Sequence, residues 1–118
     1  MSYDLAVWEG SDPSSDAEAS SIFERLMSEF QDAPGEAIPP TARIADYVSS
    51  LLSRWPDIAD DNVDDSPWAD GPLINNATGP ILYFTMRLGR ADEVVDHVSR
   101  TAANHGLICY DPQAKMLL

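Results

Sequence analysis

The stretch Ile81-Leu82-Tyr83-Phe84-Thr85-Met86-Arg87-Leu88 decides the fold. Leu82, Phe84, Met86 and Leu88 alternate with Ile81, Tyr83, Thr85 and Arg87, which is the two-residue period of a strand. The first set is expected to face helices and the second to face away from them. Upstream, Asn75-Asn76-Ala77-Thr78-Gly79 has turn chemistry, because Asn and Gly tolerate positive φ. Before it, Gly71-Pro72-Leu73-Ile74 reads as a short strand. Downstream, Val94, Val95, Val98 and Ala102 recur at helical steps, predicting a helix from about Arg90 to His105 that Gly106 stops. Leu107 to Tyr110 is a final strand, and the short apolar tail Ala114 to Leu118 is left to pair or pack.

The N-terminal half supplies the remaining elements. Tyr3, Leu5 and Val7 alternate with Asp4, Ala6 and Trp8, which predicts a first strand. Ser15 and Glu18 fit a capping box ahead of the stripe Ala19, Ile22, Phe23, Leu26, Met27 and Phe30, so a helix is expected from about Ser15 to Gln31. Asp32 to Pro40 carries Pro34, Gly35, Pro39 and Pro40 and reads as a loop. A second helix carries Ile44, Val48, Leu51, Leu52 and Trp55 on one side, and Pro56 helps end it.

The order strand, helix, helix, strand, strand, helix, strand implies one α+β domain over residues 1–118. We expect a four-stranded, mainly antiparallel sheet with helices on one face, in a ferredoxin-like arrangement. The first strand and the Ile81–Leu88 strand are expected to be parallel neighbours in its middle. Leu82, Phe84, Met86, Ile22, Leu26, Leu51 and Val98 are expected to share one core. The opposite face would carry Trp8, Tyr83, Thr85, Arg87 and Tyr110, open unless a partner or another segment covers it.

Charge narrows the function. Among 118 residues, 20 acids face 7 bases, a net charge of −13. Phosphate binding needs clustered cations, so direct nucleic-acid binding and anionic membrane surfaces are disfavoured. The single Cys109 excludes an intramolecular disulfide and a multi-cysteine zinc site. The opening MSYDLAVWEG lacks the basic start and apolar run of a signal peptide, so a cytoplasmic location is expected.

Six aspartates fall between Asp57 and Asp70. Asp60, Asn62 and Asp64 have calcium-loop spacing, but Asp65 stands where a glycine is needed and Gly71 where a bidentate glutamate is needed. The segment is read as a solvated surface loop or as one that offers negative charge to a basic protein partner, and the overall acidity suits solubility as well as a partner. Trp68, flanked by Pro67 and Pro72, is either an anchor pinning that loop or an exposed contact ringed by acid. Cys109, His97 and His105 have no spacing that joins them as nucleophile and base. No glycine-rich phosphate loop occurs either, so neither catalysis nor a cofactor is expected. The candidate partner-binding set is therefore Asp57, Asp60, Asp61, Asp64, Asp65, Trp68 and Asp70, with Trp8, Tyr83 and Arg87 from the sheet face.

Three segments also carry a resemblance: Met1-Ser2-Tyr3-Asp4-Leu5-Ala6-Val7-Trp8-Glu9, Asp65-Ser66-Pro67-Trp68 with Gly71-Pro72-Leu73, and His105-Gly106-Leu107-Ile108-Cys109-Tyr110-Asp111-Pro112-Gln113. Together they resemble small acidic cytoplasmic proteins of actinobacteria, mostly without assigned function. Some small acidic bacterial proteins of this size are immunity proteins that neutralise a secreted toxin. The motifs that carry this resemblance are structural, so it bears on the fold more than on the function; taken with the acidic charge and the absence of catalytic spacing, the expectation is a non-catalytic protein that occludes the basic surface of a toxin domain. The alternative expectation is a small-molecule-binding or enzymatic ferredoxin-like domain.

Overall fold

The computed structural model describes residues 2–32, 38–59, 66–87, 89 and 91–118. Pro34, Gly35, Asp60, Asp61, Asn62, Asp64, Asp65, Leu88 and Arg90 lie outside the described residues. The elements run β1 (Ser2–Trp8), α1 (Asp16–Leu26), α2 (Ala42–Arg54), β2 (Ala77–Thr78), β3 (Ile81–Arg87), α3 (Ala91–Asn104), β4 (Ile108–Asp111) and β5 (Met116–Leu117). The chain is α+β, and its five strands lie in the order β2-β3-β1-β4-β5 with every pairing antiparallel.

Three expectations about the sheet need correction. First, β1 and β3 are antiparallel neighbours, with Leu5 opposite Phe84 and Trp8 opposite Ile81. The chain between β1 and β2 brings β2 in along the direction of β1, and the reversal at Gly79, whose φ is +56°, then runs β3 against both. Second, the described residues form five strands, because the apolar tail pairs with β4, Tyr110 opposite Leu117. Third, Leu73–Asn76 is a 3₁₀ turn and the strand follows it. The Leu73 N–H is taken by the Asp57 carboxylate at 2.7 Å, so it is not available for a ladder.

Helices cover both faces of the sheet, not one. Leu5 and Val7 of β1, with Leu82, Phe84 and Met86, pack on Ile44, Val48 and Leu51 of α2 and Val94 and Val98 of α3. Ala6 and Trp8 point the other way and, with Ile81, Ile108 and Tyr110, pack on Ala19, Leu26, Ile22 and Phe23 of α1. Ile22 and Leu26 therefore belong to a second core. The cause is β1 itself: Leu5, Ala6, Val7 and Trp8 are all buried, which requires cover on each side. Tyr47 joins the α2–α3 core fully buried, and its hydroxyl donates to the Val98 carbonyl at 2.9 Å.

Local signals explain the helix ends. Ser15 caps α1 by accepting from the Glu18 N–H at 3.1 Å. The return bond falls one residue away from the capping-box position, because the Glu18 carboxylate accepts from the Ser14 N–H and hydroxyl at 3.3 and 2.7 Å. α1 then widens into a π-helical turn over Met27–Gln31, which carries Gln31 to the Asn76 carbonyl at 2.9 Å. Thr41 caps α2. Gly106, at φ +69°, ends the α3 segment, and Leu107 N–H donates to the Ala102 carbonyl at 2.9 Å.

Candidate interaction surface

The acidic loop is closed at its base by four devices. Asp57 accepts from the Leu73 N–H as above, and Asp70 accepts from the Asn76 amide at 3.2 Å. Ile58 lies directly against Gly71, where an added Cβ would stand 2.9 Å from the Ile58 Cγ2. Trp68 is fully buried, donates its indole N–H to the Trp55 carbonyl at 2.9 Å, and meets Trp55 and Phe84 edge-on. Behind it the backbone joins the edge of β3, with Ala69 N–H on the Thr85 carbonyl and Arg87 N–H on the Pro67 carbonyl. Chain on both sides of residues 60–65 is thus fixed to the body.

This geometry separates the expected contact residues. Trp68 is the anchor and presents no surface. Asp57 and Asp70 serve loop closure with one oxygen each. Trp8 is 1% exposed beneath α1, stacked on Phe23 and tilted on Tyr110, so it is withdrawn from any partner. It and Tyr110 do share the expected face with Tyr83, whose ring also stacks on Phe23. An apolar stripe on α1 was visible in the sequence, but nothing in it ranked the two sheet faces as docking partners. Tyr83 and Arg87 are half-buried. Arg87 donates to the Ser66 carbonyl at 3.2 Å, which makes it a further loop staple.

The end of the sheet beyond α1 carries a polar network that the sequence reading missed. Asp4 accepts from the Tyr83 and Thr85 hydroxyls. Gln113 accepts from the Asp4 N–H at 2.6 Å and donates to both the Asp4 carbonyl and the Asp111 carboxylate. Asp111, buried, also accepts from the Tyr3 hydroxyl and from the Gln113 and Ala114 N–H groups. Burial pushes the Asp111 carboxyl upward, but these donors outweigh it and hold it below the ordinary aspartate value. Donation to Asp111, then burial, pushes the Tyr3 phenol up to about 12. Burial, then donation to Asp4, raises Tyr83 as well. The partners are 109 residues apart for Asp4 and Gln113, so no local spacing could have signalled them.

The titratable trio of Cys109, His97 and His105 is distributed by packing. Burial, then the nearby Asp111 charge, pushes the Cys109 thiol up to about 12, the behaviour of a small buried hydrophobe. His97 packs edge-on against Trp55, and His105 shares a 3.0 Å hydrogen bond with Ser50. Among the described residues no hydrogen bond joins Cys109 to either histidine, and no group of three His, Cys, Asp or Glu could hold a metal ion. No helix among them is long and apolar enough to cross a membrane.

Several of the few cations are engaged within the chain. Arg100 meets Asp96 at 2.8 Å, Arg43 meets Glu9 at 3.7 Å, and Arg54 meets Glu93 at 4.0 Å while lying over the Trp55 ring. These exposed pairs contribute little to stability. They leave the acid excess of 13 in place, since each pair takes up one acid and one base. No protein-family model, curated protein or solved structure matches the chain.

Proposed function

We propose that the protein is a non-catalytic binding protein that captures a basic protein partner, as an immunity protein captures the cationic active-site surface of a toxin. The observation that carries this reading is the excess of 13 negative charges, with Arg43, Arg54 and Arg100 already paired to acids of the same chain. The loop from Asp57 to Asp70 is the centre of that surface, since its ends are held by Trp68, Gly71 and Arg87. A loop with fixed ends loses less freedom on binding than one without them. Its contact residues are Asp60, Asp61, Asp64 and Asp65. Opposite potentials accelerate encounter and reject anionic competitors. The strand order β2-β3-β1-β4, with α2 and α3 on one face, is the order of a ferredoxin-like sheet, while the antiparallel β1–β3 pairing departs from the parallel central strands of that frame.

The test is affinity capture from the native host, with mass spectrometry of the bound fraction. The wild type should retain a basic protein that the fourfold variant Asp60→Asn, Asp61→Asn, Asp64→Asn, Asp65→Asn retains poorly. Equal retention of acidic and basic proteins, or of none, overturns the reading.

A further inference from the structure

We propose that the groove between α3 and the β4–β5 edge docks a segment of the protein partner whose apolar side chains are flanked by lysine or arginine. The proposal rests on the reading that the partner is basic and places a second contact far from the acidic loop in sequence. Two depressions meet at Leu118. One, of about 650 Å³, has Pro13, Ala103, Leu107, Leu117 and Leu118 among its walls, with Asp12 at its rim. The other, of about 360 Å³, is lined by Tyr3, Val95, Ser99 and Leu118, with Asp92 and Asp96.

α3 is built for two jobs. Val94, Val98 and Ala102 enter the core, while Val95, Ser99 and Ala103, one position further round, line the groove at four-residue steps. Leu118 is 45% exposed between the two depressions, although its N–H is fixed to the Cys109 carbonyl at 3.0 Å. An apolar side chain held in an open groove gains by being covered. Among the described residues, every charged one lining the groove is an acid: Asp12, Asp92 and Asp96. Arg100 balances Asp96, which leaves Asp12 in one depression and Asp92 in the other to face cations. The mode of docking is restricted as well. The β5 edge cannot readily accept an added strand, because Asp16 occupies the Leu117 N–H at 3.0 Å. The occupant therefore enters by its side chains.

The experiment titrates isotopically labelled full-length protein with the peptide Lys-Leu-Leu-Lys-Leu-Leu-Lys, and separately with Glu-Leu-Leu-Glu-Leu-Leu-Glu, reading each backbone amide. The basic peptide should shift the amides of Val95, Ser99, Ala103 and Leu118 saturably, and the acidic peptide should not. Ala103 is exposed, so Ala103→Arg leaves the fold intact while filling the groove with bulk and positive charge. It should weaken the basic peptide about tenfold, and Ala103→Gln should weaken it less. Equal shifts with both peptides, binding unaffected by Ala103→Arg, or no shifts at these amides would overturn the groove. Shifts confined to residues 57–70 would overturn the groove while leaving the basic-partner reading intact. Failure to capture any basic protein would overturn that reading without altering the peptide result.

Discussion

Asp16, the first residue of α1, accepts a 3.0 Å hydrogen bond from the backbone N–H of Leu117 in β5, 101 residues away. One carboxylate thereby does two things. It meets the positive end of α1, and it fills the outward-facing donor of an edge strand. Asp16→Ala should lower stability by about 0.5–1 kcal/mol, since the pair is exposed, and should expose the β5 edge. Urea denaturation checks the first effect. Amide exchange at Leu117 checks the second, with faster exchange expected there than in β1 or β3.

The Asp111 network should make stability sensitive to acid. Its folded carboxyl lies below the ordinary value of about 3.9, so its contribution is complete above that value and disappears as pH falls through the folded one. Asp111→Asn should remove that component of the acid-side slope and free the tail that Gln113 ties to Asp4. At the alkaline end the sign reverses. Tyr3 is pushed up to about 12 in the fold against about 10 unfolded, so stability should fall between those values as the unfolded phenol ionises first. Tyr3→Phe should flatten that region in denaturation measured against pH.

Much of this fold can be read from periodicity. β3, α2 and α3 follow from alternation and apolar stripes, and Trp68 between two prolines pointed to a pinned loop. What periodicity could not show is which sheet face each stripe meets. Leu5-Ala6-Val7-Trp8 is apolar at every position and is buried on both sides, so the pattern has no solvent face to orient it. Tyr47 escaped notice because a hydroxyl on an apolar stripe reads as a surface group until Val98 supplies its acceptor. The candidate site was visible as composition, but the duties of Asp57, Asp70 and Asp16 inside the fold depend on partners distant in sequence.

The two cores should respond independently. Phe84→Ala, in the α2–α3 core, should cost about 3–5 kcal/mol, and Ile22→Ala, half-buried on the sheet side of α1, about 1–3 kcal/mol. The double variant should equal the sum within about 0.5 kcal/mol, because the sheet separates the two sites. A coupling well beyond that, in denaturant titrations, would place them in one core.

Gly71→Ala tests loop closure. The added Cβ would stand 2.9 Å from a branched methyl of Ile58, which has no rotamer freedom to retreat cheaply. About 1–3 kcal/mol of destabilisation is expected from the overpacking. Partner capture should weaken beyond the unfolded fraction, because both ends of the acidic loop are set by this contact. Capture in proportion to folded protein alone would separate closure from binding.

The most direct measurement is the association rate with the captured basic partner, in stopped flow, at low and high salt. Wild type should associate rapidly at low salt and slow steeply as salt rises. The variant Asp60→Asn, Asp61→Asn, Asp64→Asn, Asp65→Asn should associate more slowly with a flatter salt dependence, while dissociation changes less. An unchanged rate and an unchanged salt slope in that variant would contradict the account.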